Sequence, residues 1–195
     1  GKQRRNCPES KAYGTGHHKW HGHFLLVLVR HRYQIMVINP QFIVHETEHW
    51  VLNHHLSSAL PGYLMLGAKA QTASLSGLSP DALAELGGLL ARTQLILERH
   101  LQPKHLYISR FGHQPGLPVH FHFIPVYSWV EDLFWKDERY RLLETFGCAD
   151  NASTLTDGAE LTLFIWREFG ERPEPPEIQG PSIQQVIAEL RAAFA

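Results

Sequence analysis

Hydrophobic and polar positions follow no strand or helix period over the first 35 residues, apart from the apolar stretch Phe24 to Val29, and are well patterned from Met36 on. Phe42 to Thr47 and His49 to His54 are rich in β-branched and aromatic residues and read as adjacent strands. Pro61-Gly62 marks a turn, and Tyr63 to Gly67 reads as a third strand. A helical pattern follows: Ser79 can cap the N-terminus, Pro80 suits the first helical position, and Asp81 complements the dipole. Leu83, Leu86, Leu90, Leu97 and Leu101 continue one apolar face, which predicts a packing role. Pro103 ends this helix.

Leu106 to Phe111 returns to strand character, a loop containing Gly and Pro runs from Gly112 to Leu117, and Val119 to Tyr127 forms another strand. Glu138 to Phe146 is expected to be helical, and Glu160 to Phe169, with alternating Leu161, Leu163 and Ile165, reads as a late strand. Beyond the Pro-rich linker Arg172 to Pro176, Ser182 with Gln185 matches a capping box, and Ile183, Val186, Ile187, Leu190 and Phe194 form one stripe of a terminal helix. Strands joined by short turns, one long inserted helix and helices at the end predict an α+β fold, an antiparallel sheet with covering helices.

Composition adds bounds. A chain of 195 residues with 44% hydrophobic positions suffices for one core. Phe24 to Val29 falls far short of the roughly 20 apolar residues of a membrane span. The two cysteines, Cys7 and Cys148, have no zinc-ribbon or disulfide-framework spacing, so a reducing cytoplasm is the expected setting.

The formal charge of −1 hides an asymmetry, for residues 1 to 35 hold seven Lys or Arg against one acid and the remainder eleven against eighteen. A basic arm of this kind is more often solvated than bound to nucleic acid, and nucleic acid is not an expected partner. Residues 1–35 are expected to be an extension that the domain 36–195 does not need.

The chemistry concentrates in Pro118-Val119-His120-Phe121-His122-Phe123-Ile124-Pro125. Strand residues alternate between faces, so His120 and His122 share one face, leaving the backbone roughly 6 to 7 Å apart and within reach of one phosphate. Fourteen histidines make a chance pair conceivable, and the flanking pattern is what raises the signal.

His120-Phe121-His122-Phe123-Ile124-Pro125 resembles the signature of the histidine-triad family, in which three histidines alternate with apolar residues and a proline often follows. Counted back from Pro125, His122 falls on the third histidine, His120 on the second and Pro118 on the first. Trp50-Val51-Leu52-Asn53, the Pro61-Gly62 turn and the Leu78-Ser79-Pro80 helix entry extend the resemblance in order and spacing, from about Gln41 to Tyr127. It points to the branch of diadenosine polyphosphate hydrolases.

The resemblance implies a nucleotide hydrolase needing no cofactor or metal. His120 would attack the α-phosphorus of a nucleoside phosphate, water would release the nucleoside monophosphate, and His122 would donate hydrogen bonds to phosphate oxygens. Asn53 would contact the ribose, and Gln114, six residues before His120, would contact phosphate. A homodimer formed by edge-to-edge sheets is also implied.

Two departures stand out: Pro118 supplies no imidazole, although its carbonyl oxygen remains available to orient the nucleophile, and the Gly112 to Leu117 loop is short. Other readings stay open. Asn53 could cap a turn, the two histidines could bind a metal with a third ligand from His54, His55 or His113, and the protein could hold nucleotide without turning it over.

Overall fold

The computed structural model describes residues 38–112, 116–141, 156 and 158–195, all within one unit spanning Ile35–Ala195. The extension 1–35 expected from the sequence lies outside the described residues. Five strands, β1 (Ile43–Glu46), β2 (Trp50–His54), β3 (Leu64–Ala68), β4 (His105–Ser109) and β5 (His120–Val126), form one antiparallel sheet in the order β1-β2-β3-β5-β4. Each matches a predicted strand to within two residues. Among the described residues four α-helices accompany the sheet: α1 (Pro80–Leu101), α2 (Ser128–Lys136), α3 (Ala159–Trp166) and α4 (Ile183–Phe194).

Both faces of the sheet are used, and the register decides how. Trp50, Leu52, Leu64, Leu66, Phe121 and Phe123 point to one side, where α1 and α4 cover them in a core containing Leu97, Val186 and Leu190. Each fully buried apolar side chain of this kind contributes about 2 kcal/mol. The α1 start follows its sequence: the Ser79 hydroxyl accepts from the Ala82 amide at 3.1 Å, Pro80 opens the first turn, and Gln102 ends the helix with φ +47° before Pro103. The buried line of α1 runs through Ala82, Leu89, Ile96 and Leu97, which leaves Leu83, expected to pack, exposed. The predicted capping box of α4 is present, with Gln185 N–H donating to Ser182 Oγ (3.3 Å) and Ser182 N–H to Gln185 Oε1 (2.8 Å).

The opposite side of the sheet carries Val51, Asn53, Met65, Gly67, His120, His122, Ile124 and Val126. Ile124 and Val126 lie under a second core, built by Val130 and Phe134 of α2 and Leu161, Phe164 and Ile165 of α3. Among the described residues, the part of β5 in this second core is Ile124 and Val126, beyond the two histidines.

One expectation needs correction here. Glu160 to Phe169 is not a strand: it forms α3 and a π-helical turn, Arg167–Glu171. Glu160, Leu161, Phe164, Ile165, Glu168 and Phe169 are the buried positions, a three-and-four spacing that only a helix sends to one side, while Trp166 stays exposed. In the segment expected to be a helix over Glu138 to Phe146, a single 3-10 turn spans Glu138–Tyr140, and residues 142–146 lie outside the described set. Ahead of this segment α2 buries Val130 and Phe134, one turn apart.

Candidate active site

His120 opens β5 and is nearly buried. Its Nδ1 lies 2.8 Å from the carbonyl oxygen of Pro118. A carbonyl can only accept, so Nδ1 carries the ring proton and Nε2 keeps its lone pair. Pro118, which removes an imidazole and an amide N–H, thus still furnishes the acceptor that sets the tautomer. Gly112 packs against the same ring: at φ +128° it takes a conformation suited to glycine, and a Cβ there would stand 3.1 Å from His120 Cε1.

His122 projects from the same face, its ring centroid 5.1 Å from that of His120. Its Nδ1 lies 3.0 Å from the buried Tyr63 hydroxyl. Burial pushes the Tyr63 phenol above its ordinary range and so keeps it protonated. Tyr63 can therefore donate to Nδ1, which leaves the ring proton of His122 on Nε2 as a donor.

Burial, followed by repulsion from His120 and His55, lowers the His122 pKa to about 4. His55 is lowered to about 4 as well, by burial and then by His54 and His120. The His55 ring lies 4.5 Å from that of Tyr63 and 6.0 Å from that of His122, and Phe111 approaches His122 from the other side at 5.3 Å. Two imidazoles, His55 and His122, thus flank Tyr63, with His120 beside His122, and burial together with like-charge repulsion favours neutrality at His55 and His122.

Asn53 is buried inside β2, not in a turn, and its Nδ2 donates to the His54 carbonyl at 2.8 Å. Met65 on β3 pairs with both Asn53 and His122, so one row across the sheet holds all three on the same face. At normal strand spacing, Asn53 sits roughly 10 Å from the backbone of His122, the span of a nucleoside and its first phosphate. Gln114 and His113 lie outside the described residues.

His54 points away from this cluster, fully buried, with its ring nitrogens 2.9 and 3.1 Å from the carbonyls of His55 and Leu60. It ties down the loop between β2 and β3. Among the described residues, no three His, Cys, Asp or Glu side chains are grouped to hold a metal ion.

Tyr63 and Gly112 were not among the residues singled out in the sequence. Alternation offered a signal for the tyrosine, because Tyr63, Met65 and Gly67 share one side of the strand expected over Tyr63 to Gly67, and the antiparallel pairing of β3 with β5 sends that side toward His122. For Gly112 the sequence carried only a loop signal.

No protein-family model matches the chain, and no curated protein does. Its fold is similar to solved structures. One is the NitFhit protein of C. elegans, 22% identical, with 47% of this chain and 23% of that one covered and a TM-score of 0.43. A zinc-bound histidine triad family protein from Mycobacterium smegmatis is 15% identical over 80% of this chain and 85% of its own, with a TM-score of 0.45. The diadenosine triphosphate hydrolase of Plasmodium falciparum, solved with cyclomarin A, is 19% identical over 45% of this chain and 63% of its own, with a TM-score of 0.40. This chain therefore spans less than a quarter of the length of the nematode protein. The α+β class itself stands on the five-stranded antiparallel sheet and its covering helices.

Proposed function

We propose that the chain is a histidine-triad-type hydrolase that cleaves nucleoside phosphates at the α-phosphorus through a nucleotidyl intermediate on His120. The observation that carries this reading is the hydrogen bond from His120 Nδ1–H to the Pro118 carbonyl. It fixes the lone pair on Nε2 and gives the ring a partner for the positive charge that develops as Nε2 bonds to phosphorus.

In the first step a bond forms between His120 Nε2 and the α-phosphorus, and the bond to the leaving group breaks, its electron pair departing with that group. His122 Nε2–H donates to a non-bridging phosphate oxygen, where charge builds in the transition state. Tyr63 acts through His122 as a positioning residue. In the second step water attacks phosphorus, its proton leaves to solvent, and the nucleoside monophosphate departs as the bond to Nε2 breaks.

Asn53 Oδ1 is assigned to the ribose hydroxyls, since its Nδ2 is already used by the His54 carbonyl. Gln114 is assigned to phosphate on the sequence resemblance alone.

The test is to incubate the protein and His120→Ala with dinucleoside polyphosphates and nucleoside phosphoramidates, acid-quench, and look for nucleotidyl-histidine by mass spectrometry. The expected result is adduct and nucleoside monophosphate from the wild type and neither from the variant. Pro118 favours a second reading, nucleotide binding without turnover, because it brings no third imidazole to the leaving group. Tight binding with no adduct and no product would establish it.

A further inference from the structure

One imidazole on the histidine face takes no part in the reaction described above. His55 directly follows β2, and alternation returns it to the face that Asn53 shares with His120 and His122. Its backbone is pinned on both sides. The amide N–H donates to the Tyr63 carbonyl at 2.7 Å, and the carbonyl oxygen lies 2.9 Å from Nδ1 of the buried His54 ring. Both contacts belong to main-chain atoms of His55, so its imidazole is not needed to anchor the loop.

That backbone leans the ring over Tyr63, with centroids 4.5 Å apart, and brings it to 6.0 Å from the ring of His122. Nδ1 lies 3.4 Å from the exposed Ser57 hydroxyl, and Nε2 has no hydrogen-bond partner among the described residues. Burial, followed by the charges of His54 and His120, lowers the His55 pKa to about 4, so near pH 7 the ring is neutral with a single N–H. When the Ser57 hydroxyl donates to Nδ1, that N–H is on Nε2.

Register sets three rows of this face in order along the strands. Gly67 pairs with His120, Met65 with Asn53 and His122, and Tyr63 with His55, each row about 7 Å from the next. An in-line displacement holds nucleophile and leaving atom on opposite sides of phosphorus. With the phosphate at the His122 row and attack from the His120 row, the leaving atom emerges on the side where His55 stands.

We propose that His55 is a further catalytic residue, whose Nε2–H donates a hydrogen bond to the leaving atom as its bond to phosphorus breaks. This role rests on the hydrolase reading above and deepens it by naming the group that receives the leaving atom, where Pro118 brings no imidazole. The electron pair of the broken bond departs with the leaving group, the charge that gathers there is met by the imidazole N–H, and no proton is transferred at His55. The help is greatest for a basic leaving group, because its leaving atom carries the most charge.

The experiment measures kcat/KM for the phenyl and para-nitrophenyl esters of adenosine monophosphate, which share one nucleotide and differ in the leaving group. Phenol, like the tyrosine side chain, holds its proton to about pH 10, whereas the nitro group spreads the departing charge over the ring. His55→Ala removes the donor, and His55→Phe removes it while keeping a ring against Tyr63. Both variants are expected to lose about 100-fold on the phenyl ester and about threefold on the nitrophenyl ester.

Equal losses on the two esters, no loss on either, or a wild type that cleaves only the nitrophenyl ester overturns the role of His55 while leaving the hydrolase reading intact. Wild-type protein that cleaves neither ester and forms no nucleotidyl-histidine overturns the hydrolase reading, and the role of His55 falls with it.

Discussion

Acid should weaken this fold through its histidine face, and His122 allows the effect to be sized. Its pKa is lowered to about 4 by burial and then by His120 and His55, whereas an imidazole in the unfolded chain titrates near 6.5. Between those values the unfolded chain binds the proton and the native state refuses it. Stability is therefore fully present above the unfolded value and is lost as pH falls toward the folded one. A difference of about 2.5 units corresponds to about 3 kcal/mol from this ring over the whole window, of which about 2.5 kcal/mol is gone by about pH 4.5.

His122→Gln isolates that contribution, because glutamine does not titrate and its side-chain oxygen can still accept from Tyr63. Urea unfolding of both proteins near pH 7.5 and near pH 4.5 separates the ring from other acid-sensitive groups, among them His45, His54, His55 and Glu168, which both proteins share. The wild type should lose about 2 to 3 kcal/mol more than the variant between the two conditions. Equal losses in the two proteins would refute the reasoning, since they would mean that His122 accepts a proton as readily in the native state as in the unfolded chain.

Three further outcomes are expected. Tyr63→Phe removes the donor to His122 Nδ1 and frees the ring's tautomer, so kcat should drop about tenfold with little change in KM, and the pH–rate profile should shift; a change confined to KM would assign Tyr63 to substrate binding instead. Gly112→Ala places a methyl group against His120 Cε1 on a backbone that disfavours it, and a displaced nucleophile should cost roughly 100-fold in kcat, read by steady-state kinetics alongside a melting curve to exclude simple unfolding. Glu168, within the π-helical turn, accepts from Tyr140 (2.7 Å), Arg139 (2.9 Å) and Arg172 (2.8 Å), so Glu168→Ala should destabilise by about 2 kcal/mol in urea; a loss under about 0.5 kcal/mol would show that the network contributes nothing net.

The fold was legible wherever one local signal fixed an element. Ser79, Pro80 and Asp81 define the start of α1 without help from the rest of the chain, and Ser182 with Gln185 does the same for α4. Residues 160–169 were misread because Leu161, Leu163 and Ile165 satisfy a period of two while Leu161, Phe164 and Ile165 satisfy the helical spacing equally well. Over ten residues rich in apolar side chains the two patterns overlap, and packing against α2 decides between them. The pairing of β3 with β5 across the whole of α1 left no mark on either strand, since register is set by contacts between segments more than 50 residues apart.

That same pairing explains why the site was only half visible. His120 and His122 announced themselves because alternation within one strand is a local property. Their chemistry depends on what other segments bring to each ring nitrogen: the Pro118 carbonyl to His120 Nδ1, and the Tyr63 hydroxyl to His122 Nδ1. The first partner lies two residues away and could be anticipated from the motif. The second comes from the far side of α1 and becomes a neighbour only when Met65 pairs with His122. Two imidazoles identical in sequence terms thus acquire opposite tasks, one presenting a lone pair and the other a proton, and the difference lies in their partners, not in the histidines themselves.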